Sequence, residues 1–314
     1  MKTVAKILAA IVSALVLLIV AAVAATWEPD RPLSALTARW AQPPSTFVRV
    51  QGMDVHLRDE GPRSDPLPII LLHGTSSSLH TWEGWARELA QTRRVIRFDL
   101  PGIGLTGPAP DADYRIERYV RFVAAMLDQL GVSRCVLGGN SFGGQVAWET
   151  ALAYPGRVDK LVLVDAAGYP FQPLSVPLGF RIARIPLLNN LMEYTLPRRL
   201  IEASVRNVYG DPGKVTPELV ERYFELTLRA GNRRALVQRF AQAPAGIHPE
   251  RIPALKVPTL ILWGGRDRLL PPGDAVRFNR AIAGSRLILF ERLGHVPQEE
   301  DPGATLTALK DFLS

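Results

Sequence analysis

The sequence predicts an α/β architecture: a mostly parallel, doubly wound sheet interrupted by an inserted helical layer. Three observations carry this. Short apolar runs alternate with helix-length stretches, as strands joined by right-handed helical crossovers do. The alternation stops from Gly168 to Ala245, a region rich in Leu, Arg and Pro that reads as helix without a clear strand, and then resumes. Ahead of that region, VLGGNSFGGQVAW (Val136 to Trp148) breaks an apolar run with glycines, delivers one serine and continues as a helix.

The N-terminus comes first. No charged residue occurs from Ile7 to Trp27, and Lys2 and Lys6 precede this run. At about 1.5 Å rise per residue it is long enough to cross a bilayer, and the lysines favour a cytoplasmic N-terminus. Ala22-Val23-Ala24 also fits a signal-peptidase site, so residues 1–27 read as a membrane anchor or as a removable signal peptide. Either places the remainder outside the cytoplasm: membrane-anchored in the first case, secreted or periplasmic in the second. Residues 28–45, with Pro32, Pro43 and Pro44, read as a tether.

The first part of the core is expected over 46–167. FVRVQGMDVHLRDEG alternates around Gly52 as an antiparallel strand pair does. LPIILLHG is a continuous apolar run, typical of a strand buried on both faces, and a helix follows around Trp82 to Gln91. RRVIRFDLPG, a helix from about Ile116 to Leu130, SRCVLGGN, a helix up to Tyr154 and KLVLVDAAG repeat the unit. The helical cap is expected over 168–245, with Leu178, Ile182, Ile185 and Leu188 packing against the body. The second part of the core, 246–314, holds VPTLILWGG, a helix near Asp274 to Ala283, RLILFE and a terminal helix from about Pro302 to Phe312.

Composition excludes several classes. The only cysteine, Cys135, lies in an apolar run and reads as a small core residue, which removes internal disulfides and cysteine-based metal sites. The net charge is +7, but the basic residues are dispersed and no nucleic-acid module is recognisable. The excess concentrates between Gly168 and Gly246, where eleven basic side chains face six acidic ones. That is the pattern of a solvated face or of one lying near an anionic membrane surface.

The chemistry centres on Ser141. Gly139-Asn140-Ser141-Phe142-Gly143 fits G-x-S-x-G, the strained strand-to-helix turn that lifts a serine hydroxyl above a parallel sheet. A serine hydroxyl is a weak nucleophile and needs a base, itself oriented by a third group. Of the five histidines, His56 lies in an early strand, His73 at a strand end, His80 in a loop entering a helix and His248 in a proline-flanked linker. His295 follows the last strand, where a loop reaches the carboxyl edge of the sheet, and is the expected base. Asp267, after a buried strand and two glycines, is the expected orienting acid. Asp165 is the runner-up, and Asp99, leading into Pro101 and Gly102, reads as organising its own loop. The expected oxyanion donors are the backbone amides of Phe142 and Thr75, with the Thr75 and Ser76 hydroxyls as possible additions.

LLHGTSSSLHTW, RFDLPGIGLTGP, GNSFGG, LILWGGRDRLLPP and LGHVPQEEDP, in this order, resemble the α/β-hydrolase superfamily from about Phe47 to Ser314. The resemblance implies Ser141 as nucleophile, His295 as general base and acid, Asp267 as its partner, the Thr75 and Phe142 amides as oxyanion hole, a cap over the pocket, and no metal or organic cofactor. Ser141 stands where the aspartate-dependent dehalogenases and epoxide hydrolases carry their nucleophile. Gly-Asn-Ser-Phe-Gly-Gly is similar to the elbow of hydrolases that cleave carbon–carbon bonds of ring-fission products. Those usually carry Trp after the catalytic histidine and Gly-Pro-Gly after the strand-end His-Gly; this chain has Val296 and Thr75-Ser76-Ser77. The expected activity is therefore hydrolysis of a moderately hydrophobic carboxylic ester, with carbon–carbon hydrolysis second and a noncatalytic binding protein third.

Overall fold

The computed structural model describes residues 2–170, 172–185, 188–243 and 248–314. One eight-stranded sheet organises the chain: β1 (Thr46–Val50), β2 (Met53–Glu60), β3 (Ile69–Leu72), β4 (Val95–Phe98), β5 (Cys135–Asn140), β6 (Val158–Val164), β7 (Thr259–Gly264) and β8 (Arg286–Phe290). Their spatial order is β1-β2-β4-β3-β5-β6-β7-β8. The hairpin β1–β2 is antiparallel, β2 also runs antiparallel to β4, and every pairing from β4 to β8 is parallel.

The apolar runs read as doubly buried strands behave as such. Ile70, Leu72, Leu137, Leu161 and Leu163 join one core layer, while their neighbours Ile69, Leu71, Val136, Val162 and Val164 join the layer on the opposite face. This is the two-residue alternation of a pleated strand with helices on both sides.

The helices in chain order are α1 (Lys2–Ala25), α2 (Leu33–Trp40), α3 (Glu83–Leu89), α4 (Ile116–Gln129), α5 (Phe142–Ala153), α6 (Leu178–Ile182), α7 (Leu188–Leu191), α8 (Arg198–Val208), α9 (Pro217–Thr227), α10 (Asn232–Gln242), α11 (Gly273–Ala281), α12 (Pro297–Glu300) and α13 (Pro302–Leu313). Trp148 and Phe122, from α5 and α4, pack in the first layer, and Trp85 and Leu309, from α3 and α13, pack in the second. Between β6 and β7 the described elements are helical, α6 to α10 and two short 3-10 turns. The expected junction at residues 245 and 246 lies outside the described residues.

Two expectations are corrected. Residues 28–45 are not a free tether. The chain leaves α1 and docks at once on the helical insert, with Trp27 stacked on Tyr194 at 5.5 Å and the Glu28 amide donating to the Tyr194 carbonyl. Arg31 pairs with Glu225 at 2.7 Å, Arg233 with Asp30 at 2.7 Å, and α2 buries Leu36 and Trp40. Proline content suggested an extended linker, but the apolar spacing of Leu36 and Trp40, one helical turn apart, supplies a face that packs. Second, Leu178 and Ile185 do not pack against the body; both are exposed, as are Leu174 and Tyr194 nearby. Ile182 is half-buried, and the Leu188 side chain lies outside the description.

Candidate active site

Ser141 sits between the end of β5 and the start of α5 with φ +56° and ψ −119°. An L-residue with a side chain rarely adopts this conformation, and it persists only where the surroundings enforce it. The flanking glycines make it sterically feasible. A Cβ on Gly139 would lie 2.2 Å from the Gly143 carbonyl oxygen, and one on Gly143 would lie 2.4 Å from that of Leu72. Backbones approach too closely there for any other residue.

The structure brings His295 and Asp267 together. Asp267 follows β7 and His295 follows β8, and His295 Nδ1 lies 2.6 Å from Asp267 Oδ2. The other carboxylate oxygen accepts from the Leu269 and Leu270 amides at 2.7 and 3.0 Å. These contacts fix the carboxylate, and the carboxylate fixes the imidazole. Both residues are buried, and His295 lines the same cavity as Ser141 and Thr75. That cavity encloses about 870 Å³ including its open mouth.

The two expected oxyanion residues flank the serine. Phe142 is the first residue of α5, so its amide has no intrahelical carbonyl to bond. The turn carrying Thr75 also approaches the serine: a Cβ on the preceding Gly74 would lie 3.1 Å from the Ser141 Cβ.

The competing residues are placed elsewhere in the network. Asp99 accepts from His56 Nδ1 at 2.8 Å and from the Leu79 and Leu105 amides, and so organises loops. His73 accepts from the Leu100 amide, and burial holds its pKa below the usual value. Asp165 is closer to the centre. It is fully buried, its Oδ1 accepts from the Gly264 amide at 3.0 Å, and its ligating atoms lie within 4.8 Å of those of Asp267 and His295. Burial first, and then the neighbouring Asp267 carboxylate, push its pKa well above the ordinary range. Its carboxyl is therefore held toward the protonated form. Asp165, Asp267 and His295 could in principle ligate a metal, but Asp267 already engages two amides and the imidazole, which suits an orienting carboxylate.

Sequence reasoning missed two residues. Asn140 Nδ2 donates to the Val164 carbonyl at 3.1 Å and to the His295 carbonyl at 2.9 Å, tying the serine strand to the histidine loop. Glu300 accepts from the Gly294 and Gly210 amides through Oε2 and from the Asp211 amide through Oε1, joining that loop to the end of α8. The signal for Asn140 was its place directly before the serine; for Glu300, a buried carboxylate in a four-residue helix, there was none.

The family model for the alpha/beta hydrolase fold matches residues 68–302. The 2-hydroxy-6-oxo-2,4-heptadienoate hydrolase of Pseudomonas putida is 31% identical over 281 residues, covering 85% of this chain and 95% of that one. Among solved structures, a meta-cleavage product hydrolase from Pseudomonas fluorescens superposes with a TM-score of 0.73 at 27% identity, covering 85% of this chain and 97% of that one. A thermophilic esterase from Thermogutta terrifontis gives 0.69 at 26% identity, covering 86% and 96%. Sequence, sheet order and elbow geometry agree: the chain belongs to the α/β-hydrolase fold family and resembles its hydrolases of ring-fission products.

Proposed function

We propose that the chain is a serine hydrolase that cleaves a carboxylic ester with an apolar acyl group, through an acyl-enzyme on Ser141. The observation that carries this reading is the strained serine facing the same cavity as a histidine held at 2.6 Å by a buried aspartate. In the proposed cycle His295 takes the Ser141 proton, and the serine oxygen attacks the ester carbonyl. The oxyanion rests on the Phe142 and Thr75 amides. Collapse expels the alcohol, which takes the proton from His295. Water activated by the same imidazole then releases the acid and regenerates the serine.

The larger cavity supports an uncharged acyl group. Leu196, Val205, Leu236 and Met192 contribute to its walls, and no Lys, Arg, Asp or Glu lines it among the described residues. The nearby Arg222 guanidinium is paired with Glu299, which removes it as a free counter-charge. We further propose that α1 is retained as a membrane anchor. Exposed Leu174, Leu178, Ile185 and Tyr194 lie on the helical insert, and Trp27 and Tyr194 stack at the end of α1. This apolar, aromatic surface suits an interface with lipid, so an acyl ester would reach the enzyme at the bilayer surface.

Carbon–carbon hydrolysis is the second reading, favoured by the Pseudomonas putida relative and by the similarity at the elbow. Turnover of a p-nitrophenyl ester series by wild type and Ser141→Ala, alongside a ring-fission dienoate, decides between them. Serine-dependent ester turnover with no dienoate cleavage supports the first; dienoate cleavage alone supports the second.

A further inference from the structure

A second, smaller lobe opens beside Ser141, lined in part by Thr75, Phe142, Gln145, Phe180 and Arg239. Its chemistry differs from that of the larger cavity. Arg239, from α10, is only 3% exposed, and its guanidinium carbon lies 4.4 Å from the Phe142 ring centroid and 4.7 Å from that of Phe240. The two rings hold the group in place, and Nη2 donates to Thr75 Oγ1 at 2.9 Å. Arg239 Nε has no acceptor, and neither has the buried Gln145 Nε2. Arg184 also lines the lobe.

No carboxylate among the described residues pairs with Arg239. Burial lowers its pKa to about 10, which still leaves it cationic at neutral pH. A buried cation without a counter-charge, and two buried N–H donors without acceptors, are costly arrangements that native proteins keep where a ligand completes them. Arginine in particular presents its donors in a fork matched to paired anionic oxygens.

We propose that this lobe is an anion subsite that seats the acidic group of the substrate's leaving half, a carboxylate or a phosphate, on Arg239 and Gln145. The inference rests on Ser141 as the nucleophile. It assigns the two halves of the substrate to opposite sides of the serine: the apolar acyl chain in the larger cavity, the anionic alcohol in the smaller lobe.

The test uses three butyrate esters: O-butyrylglycolate, its neutral isostere O-butyrylglycolamide, and 2-(butyryloxy)ethyl phosphate, with p-nitrophenyl butyrate as reporter of acyl transfer. Wild type should favour an anionic ester over the amide by roughly tenfold or more in kcat/KM, the scale of one charge-assisted contact. The better of the two anions identifies the headgroup. Arg239→Met should bring that ratio close to one, Arg239→Lys should retain part of it, and Gln145→Leu should lower it less than Arg239→Met. A purely structural role for Arg239 would depress all esters together and leave the ratio unchanged. Equal use of the esters by wild type, or an unchanged ratio in Arg239→Met, overturns the subsite while p-nitrophenyl butyrate turnover upholds the serine reading. If p-nitrophenyl butyrate is not cleaved, the serine reading fails instead. Binding of glycolate and phosphate to Ser141→Ala, measured by NMR titration, then decides the subsite alone: anion binding lost in Ser141→Ala/Arg239→Met supports it, and no binding overturns it.

Discussion

Asn140 Nδ2 donates a 2.9 Å hydrogen bond to the carbonyl oxygen of His295, across 155 positions of sequence. The residue before the expected nucleophile thus holds the backbone of the expected base. Because the same amide nitrogen also bonds the Val164 carbonyl, it ties the ends of β5 and β6 to the histidine loop. Replacing Asn140 with Leu removes both contacts. A misplacement of the base on the order of 1 Å costs about a hundredfold, so kcat should fall on that scale with KM little changed, as steady-state kinetics would record.

Ser141→Ala should lower ester turnover by roughly 10⁴-fold or more, as loss of a triad nucleophile does. Its melting temperature should stay at or above that of wild type, because the strained elbow is retained and only a hydroxyl is lost. Calorimetry on the same sample separates a lost nucleophile from a lost fold.

Asp267→Asn should cost about 10⁴-fold in kcat, since the amide cannot hold the imidazole in the required tautomer. Asp165→Asn should differ sharply. With Asp165 held toward the protonated form, the amide reproduces its charge, and kcat should remain within a few fold of wild type. A large loss in Asp165→Asn with little loss in Asp267→Asn would exchange the roles of the two acids.

The raised pKa of Asp165 has a stability signature. Above about pH 3.9 the unfolded chain releases this proton while the folded chain retains it. The contribution therefore disfavours folding increasingly as pH rises from there to the folded pKa. Asp165→Asn removes it, so the melting temperature of the variant relative to wild type should rise as the pH is raised above about 4. A difference that is flat or falls across that range contradicts a protonated Asp165.

Residues 28–41 should behave as part of the folded body. A chain beginning at Glu28 should melt near the full-length temperature, whereas one beginning at Gln42 loses the burial of Leu36 and Trp40, about 1.5–3 kcal/mol each, and the Arg31–Glu225 pair. At about 2–4 °C per kcal/mol for a domain of this size, its melting temperature should fall by roughly 10 °C.

The sheet was legible because each buried strand is a run of Ile, Leu and Val bounded by turn residues, and the serine, aspartate and histidine because each follows such a run at the carboxyl edge. The docking of residues 28–45 was not, since three prolines outweighed a single Leu36–Trp40 turn. Arg239 was hidden for a different reason. One arginine among eleven basic residues of the insert carries no local mark, and only the tertiary fold places it between Phe142 and Phe240. Long-range contacts of this kind leave no local signature, while strand patterning and elbow glycines are local.

The most direct test of the central claim is hydrolysis of p-nitrophenyl esters, from acetate to palmitate, by a chain beginning at Glu28, with Ser141→Ala and a ring-fission dienoate in parallel. Ester turnover that disappears in Ser141→Ala, with an optimum above acetate, is the predicted result. A folded wild-type protein that leaves every ester intact and cleaves the dienoate would contradict the ester assignment, and ester turnover that persists in folded Ser141→Ala would contradict the nucleophile.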